Sequence, residues 1–385
     1  MALSQSFCCL IACLACLGIG NAAWAQPAEP GITEFAPVEI ISVDGLPHPG
    51  VTADDALSAG RSHASRFVMA RPATRPWRIA FLFPHLKDPY WVGAAYGVMA
   101  EASRLGVAVN IIPASGYDDL ISQLRQMDDA IAARYDAIVV SPISLSANDA
   151  SIARARQAGI PVFELANDST SPALTLKVTT SLLGMGRSAV QWIIKDAQQR
   201  GLKHVEIGLL PGPADAGWVK GEVNGTRLAV EDSPIPINIV DIEYGDSDRI
   251  IQTQLASRMV AHYGKTLDYI IGCTGCAPAA WLPVKESRLE GKIRIVAYDL
   301  TREIALSVRK KEIVAAVDTR GVSQARVVTN AVVNYLEGRT PRSPPVMLIK
   351  LGLLDAANYS HYPFNASIPP DDYVPVLTYT PPNRK

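Results

Sequence analysis

The chain has 385 residues, a formal net charge of -1 at pH 7, and 48% hydrophobic residues. That length suits two domains with sizeable cores. The near-neutral charge excludes a broad nucleic-acid footprint, which needs a basic excess.

Met1 to Ala25 contains no Lys, Arg, Asp or Glu. It holds the apolar stretch Phe7 to Ile19 and ends Ala23-Trp24-Ala25, an A-x-A pattern. This reads as a secretory signal peptide cleaved after Ala25, though no basic residue precedes the apolar stretch. A lipobox reading of Leu10-Ile11-Ala12-Cys13 would leave a very short apolar leader. No later stretch reaches the roughly 20 apolar residues of a bilayer span. The mature chain is therefore expected to be exported and soluble, without direct membrane insertion. Four of the six cysteines leave with the leader. Cys273 and Cys276 remain and, in an oxidising compartment, suit a disulfide.

Residues 26–76 are rich in Pro, Gly and Ala, with one strand-like run at 38–43, and read as an extended arm. From Trp77 strands and helices alternate. The strand 78–83 precedes a helix over 89–105, where Val92, Tyr96, Met99 and Ala102 recur at helical spacing. A strand at 108–112, a helix at 118–134, a strand at 137–140, a helix at 148–158 and a strand at 161–165 follow. A second series has helices at 183–200, 215–230, 247–262 and 278–288, with strands at 205–210, 238–242, 269–272 and 294–297. Helices at 301–310 and 323–336 and strands at 314–317 and 346–350 complete it. The remainder, 351–385, reads as a second arm. This alternation implies βαβ units and parallel sheets. The fold class is α/β, with two doubly wound lobes.

Lys87-Asp88-Pro89-Tyr90-Trp91 follows the strand 78–83 directly. Asp88 suits an N-cap and Pro89 the first helical position, which puts Trp91 at the third. Ligands of open α/β sheets bind at the carboxyl ends of strands. The second lobe echoes the pattern, with Asp215 as cap and Trp218 three residues later. The two tryptophans are expected on opposite walls of one cleft.

The segments Pro84-His85-Leu86-Lys87-Asp88-Pro89-Tyr90-Trp91, Tyr96-Gly97-Val98-Met99 and Ser115-Gly116-Tyr117 resemble the TorT family. So do Ser181-Leu182-Leu183-Gly184-Met185-Gly186, Leu210-Pro211-Gly212-Pro213 and the closing Tyr373-Val374-Pro375-Val376. The resemblance implies the type I periplasmic-binding-protein fold, with three hinge crossovers mapped near Thr179, Asp299 and Asp318-Thr319. Residues 77–178 and 298–318 would form the N-terminal lobe, and 179–297 and 319–350 the C-terminal lobe. It further implies a periplasmic, non-enzymatic sensor. That sensor would bind trimethylamine N-oxide and regulate a TorS-like membrane histidine kinase of a two-component system through its periplasmic sensor domain. It needs no cofactor and no metal.

Trimethylamine N-oxide presents three methyl groups around a positive nitrogen, and one strongly accepting oxygen. Aromatic faces suit the methyl end, at about 0.5–2 kcal/mol per contact. Trp N–H or Tyr O–H groups suit the oxygen. Tyr90, Trp91, Tyr117, Trp218 and Tyr298 all fall at expected strand-to-helix edges, and each has a packing role as its alternative. Asp88 is first a helix cap and second a partner for the positive end. Asn167 and Asp299 lie at strand ends in the same region, and His85 reads as polar packing. Two other functions compete. One is the receptor of an ABC importer for a sugar or methylated amine. The other is a dithiol oxidoreductase using Cys273 and Cys276, which the two-lobed pattern disfavours.

Overall fold

A computed structural model describes residues 35, 37–44, 50–339 and 345–382. The expected signal peptide lies outside the described residues. Among those residues no helix is long and apolar enough to cross a membrane.

The N-terminal arm is more structured than its composition suggests. It forms β1 (Glu39–Asp44), α1 (Ala53–Ala59) and β2 (Arg61–Arg66). Buried polar groups anchor it. Asp168 accepts from the Ala53 N–H at 2.7 Å, and the Lys177 ammonium donates to the Val51 carbonyl at 3.0 Å and to Asp168 at 2.7 Å.

The first series is β3 (Arg78–Phe83), α2 (Pro89–Leu105), β4 (Ala108–Pro113), α3 (Leu120–Ala132), β5 (Ala137–Val140), α4 (Asp149–Gln157), β6 (Val162–Leu165) and β7 (Leu176–Thr179). The second is α5 (Leu182–Gln199), β8 (Val205–Gly212), α6 (Gly217–Glu231), β9 (Ile237–Tyr244), α7 (Arg249–Tyr263), β10 (Tyr269–Gly272), α8 (Cys276–Glu286), β11 (Arg294–Ala297), α9 (Arg302–Lys310) and β12 (Ala315–Asp318). Then follow α10 (Gly321–Leu336), β13 (Val346–Ile349), β14 (Gly352–Asp355) and β15 (Thr378–Tyr379).

Two sheets result. The first runs β15-β4-β3-β5-β6-β7-β13-β1-β2 and the second β14-β12-β11-β10-β8-β9. Both are parallel in their interior, with antiparallel strands only at edges. Buried strands such as Ala137–Val140 and Tyr269–Gly272 read as continuous apolar runs because helices cover both faces.

Sheet membership exchanges two of the expected lobe assignments. Residues 298–318, expected in the first lobe, carry β12 of the second sheet. α9 turns Ile304, Ala305 and Val308 into that lobe's core. Conversely α10, expected in the second lobe, buries Ala325, Val328 and Val332 in the first lobe's core beside α2. A buried ion pair between Arg326 and Glu101, at 2.8 Å, reinforces that helix pair. The chain thus passes between sheets after β7, after β12, after β13 and, in its last segment, after β14. The crossover expected near Asp299 is replaced by one at Lys350-Leu351. Local periodicity shows that a helix has an apolar stripe, but not which of two sheets the stripe meets.

α5 and α6 cover one face of the second sheet and meet backbone to backbone. A Cβ on Gly225 would stand 2.0 Å from the Leu183 carbonyl oxygen, and one on Gly186 would stand 2.1 Å from that of Glu222. Gly225→Ala must force these helices apart. An unfolding free energy lower by about 1–3 kcal/mol is expected from such overpacking, read as a reduced urea midpoint at unchanged slope. An unaltered midpoint would show that the helices do not touch there.

Candidate functional site

α2 begins where its sequence predicts. Asp88 is the N-cap, with extended backbone, and its Oδ1 accepts from the Tyr90 N–H at 2.7 Å. Pro89 occupies the first turn without wasting an N–H. These constraints aim Tyr90 and Trp91 past the end of β3. Trp91 is 2% exposed and packs on Phe83 and Tyr90, with ring centroids at 5.0 and 5.1 Å. The second Asp88 oxygen, Oδ2, accepts from Thr274 Oγ1 of the opposite lobe at 2.7 Å.

The other wall is built differently from the expectation. The N-cap of α6 is Ala216, with no side-chain capping bond, and Asp215 is exposed one residue earlier. Trp218 is therefore the second helical residue. Gly212 at the end of β8 has φ +110°, and a Cβ there would come within 2.7 Å of the Trp218 ring. This glycine both turns the chain and seats the indole. The Trp218 ring meets Tyr117 of the first lobe at 6.0 Å between centroids. With Ala216, Val219 and Val223 these rings form a small apolar cluster.

All six expected residues, Asp88, Tyr90, Trp91, Tyr117, Trp218 and Tyr298, line one cavity of about 70 Å³ between the sheets. Asn167 and Asp299 line it too. His85 does not; it is buried beside Tyr117, with ring centroids 5.3 Å apart. Polar bonds fix several walls. Asn167 Nδ2 donates to the Tyr117 hydroxyl at 3.2 Å, and the Tyr298 hydroxyl shares a 2.8 Å bond with Thr226. Sequence reasoning missed Glu222 and Gln324, which also line the cavity. Glu222 was within reach, since it stands one helical turn beyond Trp218 on the same face. Gln324 carried no comparable signal.

Three carboxyl groups, Asp88, Glu222 and Asp299, line the cavity, and no Lys or Arg does so among the described residues. Burial drives Glu222 well above the ordinary carboxyl range, and neighbouring Asp299 adds to the effect. Burial and the repulsion of Asp318 push Asp299 up to about 7, although hydrogen bonds from Thr319 and the Leu300 N–H pull it back. Burial also raises the hydroxyls of Tyr90, Tyr117 and Tyr298, so all three stay protonated donors.

Cys273 and Cys276 are joined in a disulfide. It closes the turn between β10 and α8, and that turn carries Thr274, the partner of Asp88. Cys273 itself lines the cavity.

Residues 79–340 match the family described as periplasmic binding protein domain, and the chain belongs to that family. Periplasmic protein TorT of Escherichia coli (strain K12) is 28% identical over 340 residues, which span 86% of this chain and 94% of that protein. The D-allose-binding periplasmic protein of the same organism is 27% identical over 190 residues, 47% of this chain and 59% of that protein. Among solved structures, an ABC transporter solute-binding protein from Bradyrhizobium sp. BTAi1 with bound Bis-Tris is 30% identical. It superposes with a TM-score of 0.76 over 90% of this chain and 99% of its own. A complex of the TorS sensor domain with TorT in the presence of TMAO gives a TM-score of 0.69 at 24% identity, covering 78% of this chain and 99% of that one. That likeness shows the fold, which is the type I periplasmic-binding-protein fold expected from the sequence.

Asp299 titrates at about 7 in the folded protein against an ordinary value of 3.8. The folded state therefore holds this proton more tightly, and stability falls as pH rises through the window between those values. Asp299→Asn removes the titration and is expected to flatten the pH dependence by on the order of a few kcal/mol. Urea unfolding of both proteins at the two ends of the window checks it. Parallel losses in the variant and the wild type would assign the slope to other groups.

Proposed function

We propose that this member of the periplasmic binding protein family binds trimethylamine N-oxide in the cavity between its lobes and regulates the periplasmic sensor domain of a TorS-like histidine kinase. The observation that carries this reading is the cavity itself: five aromatic side chains from two lobes and, among the described residues, no basic side chain. A volume of about 70 Å³ accommodates a few water-sized groups. The five heavy atoms of trimethylamine N-oxide fit within it, whereas a pyranose needs several polar partners for its hydroxyls.

The ligand's two ends find different surroundings. Methyl groups around a positive nitrogen sit favourably against the faces of Tyr90, Trp91, Tyr117 and Trp218. The Asp88 carboxylate adds negative potential near that end while it caps α2. The oxide needs donors, and the buried indole N–H of Trp218 makes only a poorly aligned bond with the Tyr117 hydroxyl. A ligand acceptor in better geometry would gain from that donor. Similarity to TorT along nearly the whole chain supports the partner, because TorT is solved in complex with the TorS sensor domain.

A second reading, the receptor of an ABC importer for an amine or a sugar, has its own support. The Bradyrhizobium solute-binding protein carries Bis-Tris, a tertiary amine with hydroxylated arms, and other relatives bind D-allose. Calorimetric titration decides between the two. Trimethylamine N-oxide is expected to bind, more tightly when the kinase sensor domain is present. Trp218→Ala is expected to weaken it by roughly 10–100-fold, the loss of an aromatic face and a donor together. A response to D-allose or ribose, with none to trimethylamine N-oxide in either condition, would sink the sensor reading.

A further inference from the structure

Glu222 is 0% exposed, and neither of its carboxyl oxygens has a hydrogen-bond partner. It lines the cavity one turn along α6 from Trp218, whose indole N–H faces the Tyr117 hydroxyl. It has no route of escape. The α6 backbone at Glu222 lies against Gly186 of α5, where even a Cβ would be 2.1 Å from the Glu222 carbonyl oxygen. A buried acid with both oxygens unengaged is a costly feature unless something in the cavity engages it.

The groups around Glu222 decide in which form it meets a ligand. From the β11–α9 turn come Asp299 and Tyr298. From α10 comes Gln324, whose Nε2 is committed to the Thr319 carbonyl at 2.7 Å and whose Oε1 is unpartnered. From α5 come Leu182 and Met185, both apolar. The opposite lobe contributes Asp88, Tyr90, Trp91 and Tyr117. None of these is a cation, and one neighbour is a second acid.

We propose that Glu222 is a specificity-determining residue that meets the ligand as a neutral carboxylic acid, donating its O–H to the ligand's oxygen and disfavouring the corresponding ammonium ion. The inference rests on the amine-oxide reading of the cavity and names what lets that cavity tell an N-oxide from its reduced amine. The two ligands share three methyl groups on a positive nitrogen. They differ in the fourth substituent, an accepting oxygen in one and a donating N–H in the other. Two cavity-lining donors, the Trp218 indole and the Glu222 acid, suit the oxygen. A neutral Glu222 offers the ammonium only a carbonyl oxygen, because burial and Asp299 both hold the proton on and withhold the charge pairing that a carboxylate would give.

Calorimetry at pH 7 with trimethylamine N-oxide and with trimethylammonium tests this. The wild-type protein is expected to prefer the oxide by at least about tenfold, the weight of one strong hydrogen bond. It should exchange no net proton, so heats agree in two buffers of different ionisation enthalpy. Glu222→Leu, which keeps the volume but loses the donor, should weaken the oxide by about 10–100-fold, and Glu222→Gln should recover most of that loss. Tighter binding of trimethylammonium with proton release, or an unchanged affinity in Glu222→Leu, would overturn the proposal. If the protein binds neither compound, the ligand assignment has failed, and infrared difference spectroscopy of wild type against Glu222→Gln then judges Glu222 itself. A protonated-carboxyl band lost in the variant supports the neutral acid; its absence from wild type refutes it.

Discussion

One carboxylate ties the two lobes to the cavity between them. Asp88 Oδ1 closes the first turn of α2, and Asp88 Oδ2 holds Thr274 on the facing lobe. An N-cap bond is worth roughly 1 kcal/mol and requires only one acceptor oxygen. The other oxygen is free for a cross-cleft bond, so helix geometry and cleft geometry are set by the same side chain. The facing residue is restrained in turn by the disulfide that brackets its turn. Tyr90 and Trp91 therefore stand beside a direct bond between the two walls, which also meet where Tyr117 packs on Trp218.

The first-lobe wall was legible because its information is local. Asp, Pro and two aromatics in consecutive positions encode the cap, the first turn and the ligand-facing rings together, and α2 spans the residues that this pattern predicts. The second wall was legible only in outcome. Trp218 reaches the cavity, yet the aspartate that seemed to place it does not cap α6. The glycine at φ +110° does the placing, and its requirement is a packing distance to an indole that no local pattern reveals. The lobe exchange of residues 298–318 and α10 has the same origin. An amphipathic stripe is written in the sequence, but its partner surface is a property of the assembled chain. Glu222 escaped because an acid on a helix usually marks the solvated face; here α5 and α6 approach at glycines so closely that it is sealed in.

The cavity's electrostatics follow from what it lacks. Glu222 and Asp299 are buried together with no basic side chain lining the cavity, which disfavours ionising both. Protons resolve the conflict, most strongly on Glu222 and partly on Asp299. The result is a cavity of aromatic faces and O–H or N–H donors, with Asp88 at its rim.

The same acids connect the cavity to the hinge. Asp299, which lines it, accepts from the Thr319 N–H at 3.0 Å and from the Thr319 hydroxyl at 2.7 Å, and Thr319 also lines it. Thr319 follows Asp318, where the chain crosses back to the first lobe, and Asp318 accepts from the Tyr362 hydroxyl at 2.8 Å and from Ser367. Cavity, crossover and the C-terminal segment are thus joined by two sets of hydrogen bonds that meet at the adjacent residues Asp318 and Thr319. The second set ends in the segment after β14, which includes the partly exposed Tyr362 and runs on to β15 at the edge of the first sheet.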